Sequence, residues 1–259
     1  LAAQRFSRPP LSTTQTSLQQ DAGRGYCGAA PMSMNLAGFV PPPHDFFRVD
    51  ALALAGRLLG CAVWERIPTS SPDQVVLQIT ETEAYLPRDP ASHSVRGPTP
   101  RSAPMFAAGG RWYLYLSYGM HRLVNVVSGP AASGQAVLIR AGLVLAGMDK
   151  VAERLGRVPT GGTVDGPGLV GRALGLSDLH RSGYRVIPGT SSEACLTMLC
   201  PIPQMAQGVG GAHWRGLARN GPRVGISRAV ESPWRYWLGS APPSGRSKPS
   251  KRSRSSAEK

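Results

Sequence analysis

The sequence predicts an α+β fold, a single domain in which a mainly antiparallel, curved sheet is flanked by helices. Two observations carry that prediction. Runs of period-2 apolar alternation recur through the middle of the chain, joined mostly as hairpins. Stretches with helical apolar spacing lie to either side of them. In order, Phe46 to Gly60 reads as a helix, with Val49, Leu52, Leu54, Leu58 and Leu59 apolar and Gly60 near its end. Strands are expected at about 61–66, 74–85, 112–117, 122–128 and 136–141. Leu143 to Leu155 has helical spacing, with Met148, Val151, Ala152 and Leu155 as its stripe. Gly166-Pro-Gly168 opens another helix through Leu174, because proline costs nothing in a first turn. From Ser177 to Gly221 frequent Pro and Gly leave little pattern. Arg223-Val-Gly-Ile-Ser227 and Tyr236-Trp-Leu238 are expected to be the last two strands.

Composition sets the outer limits. Residues 1–43 lack apolar periodicity and are rich in Ser, Gln, Gly and Pro, so they read as disordered. Met32 and Met34 lie just before Pro41-Pro-Pro43, and an internal start near Met34 is an expectation of this reading. Residues 241–259 read as a flexible basic tail. The stretch 44–240 between them is long enough to bury a full core. No window offers about 18 uninterrupted apolar residues, and no signal peptide is visible, so the expected setting is the cytoplasm without membrane contact. Cys27, Cys61, Cys195 and Cys200 are scattered, which points to reduced structural thiols and no metal.

Charge points to a polyanion. The chain carries 29 Lys+Arg against 15 Asp+Glu, a net +14. The tail 241–259 holds +5 of this and residues 1–43 hold +2, which leaves +7 on the body. A basic body favours RNA, DNA or an acidic membrane surface as partner.

The most informative stretch begins in the strand Gln74-Val-Val-Leu-Gln-Ile-Thr80. Its alternation runs on, so Val75, Leu77, Ile79, Glu81, Glu83 and Tyr85 are expected on one face. Two carboxylates and a phenol on a face that starts as core need partners or a task. A second alternating run, Arg111 to Met120, would put Trp112, Leu114 and Leu116 on one face and Tyr113 and Tyr115 on the other. Aromatic faces near a carboxylate suit a planar ligand, stacking being worth about 1–3 kcal/mol per base. Taken alone, the same run also reads as two strands whose tyrosines pack a core and reach water with their hydroxyls.

Eight motifs then occur in order: Glu81-Thr-Glu-Ala-Tyr85, Ala91-Ser-His93, Thr99-Pro-Arg101, Met105-Phe106, Tyr118-Gly-Met120, Asn125-Val-Val127, Val137-Leu-Ile-Arg140 and Arg223-Val-Gly-Ile226. Together they closely resemble the alkyladenine (3-methyladenine) DNA glycosylase family, the type unrelated to helix-hairpin-helix glycosylases. The resemblance covers about 50–240. It implies an enzyme that binds duplex DNA as a monomer, flips out a damaged purine (3-methyladenine, 7-methylguanine or hypoxanthine) and hydrolyses its N-glycosidic bond.

By the same resemblance Glu83 matches the general base for the attacking water, and Glu81 a supporting group. Arg140 and the Val224 carbonyl match groups that hold the water. Tyr85, His93 and Tyr115 match the residues around the extruded base. Tyr118 matches the wedge that fills the gap in the duplex. Asn125 matches a pocket residue that disfavours guanine's amino group. Thr99, Arg101 and Met120 fall in motifs expected to meet DNA. No cofactor is implied, since water is the nucleophile.

The chain departs from the family pattern in three places. The loop from Tyr85 to His93 is one residue shorter than in some relatives. Leu169 and Val170 follow the Gly-Pro-Gly element where Lys and Leu are usual. Residues 178–215 do not align. Lys150 is the only lysine within 44–240, which argues against an amine-dependent strand-nicking lyase. Two other readings compete: a catalytically silent damaged-DNA-binding protein, and an RNA-binding module built on aromatic strands.

Overall fold

The computed structural model describes residues 38–66, 74–177, 179–187, 195–201 and 217–239. The tail and residues 1–37 of the expected N-terminal arm lie outside them. Within them the arm is not wholly irregular. β1 (Phe39–Val40) adds an edge to the sheet by pairing with β8 (Cys195–Pro201).

The architecture is α+β. The main sheet runs in the order β1, β8, β2 (Ala62–Arg66), β3 (Val76–Tyr85), β6 (Gln135–Ala146), β5 (His121–Ser128) and β4 (Trp112–Ser117). β7 (Thr163–Asp165) joins β6, and β10 (Arg235–Leu238) with β9 (Ala218–Gly221) joins the second half of β3. Among the described residues every pairing is antiparallel.

α1 (Ala51–Leu58) is shorter than its apolar pattern. The Asp50 carboxylate accepts from the Ala53 N–H at 2.9 Å, and that cap starts the helix afresh after a single 3-10 turn at His44–Phe47. α1, α2 (Met148–Leu155) and α3 (Pro167–Ala173) contribute to one apolar core with one face of the sheet. Leu54, Leu58, Val151 and Val170 meet Trp112, Leu114, Val124, Val126, Val137 and Ile139 there. Trp112 and Leu114 thus take the core face expected for them, and Tyr113 and Tyr115 turn to the other.

Three further expectations are corrected. The helix expected from Leu143 begins only at Met148, because Val144 and Ala146 continue β6 opposite Leu77 and Val76. Gly147 makes the transition at φ 77°, where a Cβ would lie 2.5 Å from the Gln74 carbonyl oxygen. The segment 223–227 is a loop rather than a strand. Its Val224 N–H goes to a carboxylate, not to a ladder.

The third correction concerns the alternation of β3. Ile79 pairs with Gly142, Glu81 with Ala141 and Thr82 with Ile139, so Thr80 on β3 and Arg140 on β6 have no opposite residue. These irregularities move the core-facing positions by one residue. Leu77 and Ile79 share the core with Ala84, and the Thr82 hydroxyl donates to Ala55 of α1 at 3.0 Å. Glu81, Glu83 and Tyr85 therefore leave the face of Leu77 and Ile79 for the opposite one. Among the described residues no helix is long and apolar enough to cross a membrane.

Candidate active site

The register draws one line of side chains across the face away from the helices. Tyr113 lies opposite Asn125, Asn125 opposite Leu138, and Leu138 opposite Glu83. Four strands thus fix four neighbours with no loop between them. Above this row opens a cleft of about 850 Å³, bordered by Tyr85, His93, Tyr115, Asn125, Arg140 and Val224. Arg101 and Tyr118 also border it, whereas Thr99 and Met120 stay outside its lining.

Glu83 lies directly behind that lining and is fully buried. Its Oε1 accepts the Val224 N–H at 2.8 Å and faces Arg140 Nη1 at 3.2 Å. Its Oε2 accepts the Tyr85 hydroxyl at 2.9 Å. Burial pushes the Glu83 carboxyl above the ordinary carboxylate range, and Arg140, the Val224 N–H and the Tyr85 hydroxyl partly offset this. Tyr85 is itself held well above the usual phenol range, first by burial and then by the Glu83 charge, so it remains a neutral donor.

Glu81, also fully buried, takes Arg140 Nε at 2.8 Å and Arg235 Nε on the same oxygen. Two carboxylates and two guanidiniums thus form one buried network in which each charge has a partner. Arg140 spans both carboxylates from its place at the register irregularity.

The aromatic side of the cleft holds more than was foreseen. His93 stands edge-on to Tyr115 with centroids 4.6 Å apart, and its Nδ1 shares a hydrogen bond with the Tyr113 hydroxyl at 2.8 Å. Burial and the neighbouring Arg101 lower the His93 pKa, which favours a neutral imidazole. Burial lifts Tyr113 to about 12, so it too stays neutral. The Asn125 amide donates to the Tyr113 carbonyl at 3.0 Å, which fixes its side chain along the row. Tyr113 received no site role from the sequence, although it shares an alternation face with Tyr115. That shared face was the signal that marked it.

The β4–β5 hairpin stands apart from this fixed floor. Tyr118 holds φ 50°, unusual for a side-chain-bearing residue, and is 84% exposed, while Met120 is 67% exposed. Arg101 donates to the Leu116 carbonyl at 3.0 Å and stacks over Tyr115 at 5.1 Å, tying the next loop to the hairpin. Thr99 shares a hydrogen bond with Ser102 at 2.9 Å, which shapes the turn that presents Arg101.

The family model described as methylpurine-DNA glycosylase matches residues 45–242. A Frankia casuarinae protein with the provisional name 3-methyladenine DNA glycosylase is 44% identical over 78% of this chain and 90% of its own length. One from Cutibacterium acnes with the same provisional name is 43% identical, over 73% of this chain and 91% of its own. The DNA-3-methyladenine glycosylase of Arabidopsis thaliana is 47% identical over about half of each chain, 52% and 51%.

Proposed function

The chain belongs to the methylpurine-DNA glycosylase family and is a DNA glycosylase, and from that premise we propose a monofunctional hydrolase of damaged purines. It extrudes an alkylated or deaminated purine from duplex DNA, cleaves the N-glycosidic bond with water and leaves an abasic site for base excision repair. The single observation that carries this reading is Glu83, a buried carboxylate with three donors behind an open cleft.

A carboxylate has about four lone-pair positions. Val224 and Arg140 occupy Oε1, while among the described residues Oε2 meets Tyr85, so Oε2 keeps capacity for a water. Glu83 accepts that water's proton and opposes the positive charge that develops on the sugar. Arg140 and Val224 hold the carboxylate and the water in place. Burial raises the basicity of Glu83, which suits it to the task.

The extruded base lies between Tyr85 on one side and His93 with Tyr115 on the other. Asn125 and Leu138 form the floor beneath it, and Asn125 disfavours guanine's amino group. Electron-rich rings favour a cationic base, so alkylated purines are better substrates than hypoxanthine. Tyr118 fills the gap left in the duplex, and Thr99, Arg101 and Met120 meet the DNA beside it.

Lys150 pairs with Glu153 at 2.9 Å on α2 and does not border the cleft, which supports a hydrolase without lyase chemistry. The enzyme acts as a monomer through its 44–240 domain. It works where its DNA lies, in a bacterial cytoplasm or a nucleus.

The test is base release from duplexes carrying 3-methyladenine, 7-methylguanine or hypoxanthine, with wild type and Glu83→Gln. Release by wild type alone, with lesion binding kept in the variant, is the expected result. Binding without release by either protein would replace this reading with a silent damage-binding protein.

A further inference from the structure

Arg223 and Asp89 form an ion pair in which both side chains are fully buried. The Arg223 fork meets the carboxylate with both terminal nitrogens, Nη2 to Oδ1 at 3.0 Å and Nη1 to Oδ2. Nη1 also donates to the Ala84 carbonyl at 3.0 Å. The guanidinium lies between two rings, 4.7 Å from the Tyr85 centroid and 4.8 Å from that of Trp234. None of these contacts is with a residue assigned to chemistry, except Tyr85. A buried ion pair is weak evidence for stability, because desolvation offsets much of the attraction.

Placement gives the pair another meaning. Asp89 belongs to the loop that leads from Tyr85 to His93. Ala84 sits between Glu83 and Tyr85. Val224 is the next residue after Arg223. One guanidinium therefore ties together three segments: the His93 loop, the end of β3 and the loop that brings the Val224 N–H to Glu83. Two of the three donors on the Glu83 carboxylate, the Tyr85 hydroxyl and the Val224 N–H, stand on residues that Arg223 touches or adjoins.

We infer that Arg223 and Asp89 are a positioning pair for cleavage of the N-glycosidic bond: their buried fork locks the two loops so that Tyr85 and Val224 aim their donors at Glu83. This rests on Glu83 as the base. Without the pair the two donors drift, and the carboxylate keeps Arg140 as its one fixed partner. Glu83 faces Glu81 and Tyr85 on its own strand, Arg140 on β6, Tyr115 on β4 and the Val224 N–H. Arg235, its register partner on β10, is bound to Glu81. Loss of two donors from this set favours the protonated acid, so the Glu83 pKa rises.

The experiment measures single-turnover release of 3-methyladenine from methylated duplex DNA across pH. It compares wild type, Glu83→Gln, Arg223→Lys and the double variant Arg223→Met with Asp89→Leu. The double variant removes both charges together and strands neither. Arg223→Lys keeps the charge beside Asp89 but loses the two-pronged fork.

The double variant should lose about tenfold or more in rate at neutral pH while its melting temperature stays close to wild type. The acid limb of its pH profile should move to higher pH, and Arg223→Lys should show a smaller change in the same direction. A folded double variant with wild-type rate and an unmoved limb overturns the proposal. So does a slower variant with an unmoved limb, which marks the pair as structural only. Full activity in Glu83→Gln would sink the base assignment itself, whereas loss there beside an unaffected double variant sinks only the positioning pair.

Discussion

The floor of the cleft and the tip of the β4–β5 hairpin lie on one sheet, yet they are built on opposite terms. On the floor, Tyr113, Asn125, Leu138 and Glu83 are all buried and set in one row by strand register. At the tip, Tyr118 and Met120 stand in solvent on a three-residue turn. The floor holds charge in a buried place, where a fixed hydrogen bond is worth more and a lost partner costs more. The tip holds apolar side chains in water, with no contact yet made to hide them. Such side chains suit a surface that a partner completes, as the proposed insertion into a duplex would. The proposed chemistry needs groups fixed before the substrate arrives, and the proposed wedge needs freedom until it does.

Substitutions on the two regions should therefore separate rate from binding. The largest expected effect is that of Glu83→Gln, a loss of about 10²–10⁴-fold in single-turnover base release with lesion binding nearly unchanged. A small loss in rate would break the contrast, because the floor would then not be the site of chemistry. Arg140→Leu should come next. It leaves Glu83 buried without its cation and costs about 3–5 kcal/mol of stability, read by denaturant unfolding.

Tyr118→Ala should change stability by no more than about 0.5 kcal/mol, since the ring is exposed. It should weaken binding to a lesion-bearing duplex by about tenfold, measured by titration at fixed salt, in line with a stacking loss of about 1–3 kcal/mol. Equal stability losses for Arg140→Leu and Tyr118→Ala would erase the distinction between floor and tip.

The finest test is pH. The proposed base Glu83 can accept a proton only when ionised, and burial raises its pKa. Release by wild type should therefore fall with falling pH in a limb that begins above the ordinary carboxylate range. Glu83→Gln should lack that limb, and Tyr118→Ala should keep it unmoved, because the tip does not touch Glu83.

Much of the framework was legible in the sequence. The alternation of Trp112 and Leu114 against Tyr113 and Tyr115 survives unchanged, because β4 runs its length opposite β5 without a register shift. The family resemblance implied a shared site for Tyr85, His93, Tyr115, Asn125, Arg140 and Val224, and all six border one cleft. What failed was local inference across long-range constraints. The helical spacing of 143–147 gave way to pairing with β3, because a strand opposite offers hydrogen bonds that periodicity does not register. The 223–227 run became a loop whose Val224 N–H turned to the Glu83 carboxylate.

The sequence by itself determined the α+β class, the main strand runs and the residue types needed at the site, since these follow from local periodicity and chemical type. Only the tertiary structure decided which face Glu81 and Glu83 occupy. Thr80 and Arg140, without opposite residues, turn the carboxylates away from the core and into contact with Arg140, Arg235 and Val224. The same holds for Tyr113 behind His93 and for Arg223 beneath Tyr85. A register shift is a relation between two strands about 60 residues apart in the chain, and no pattern within either strand contains it.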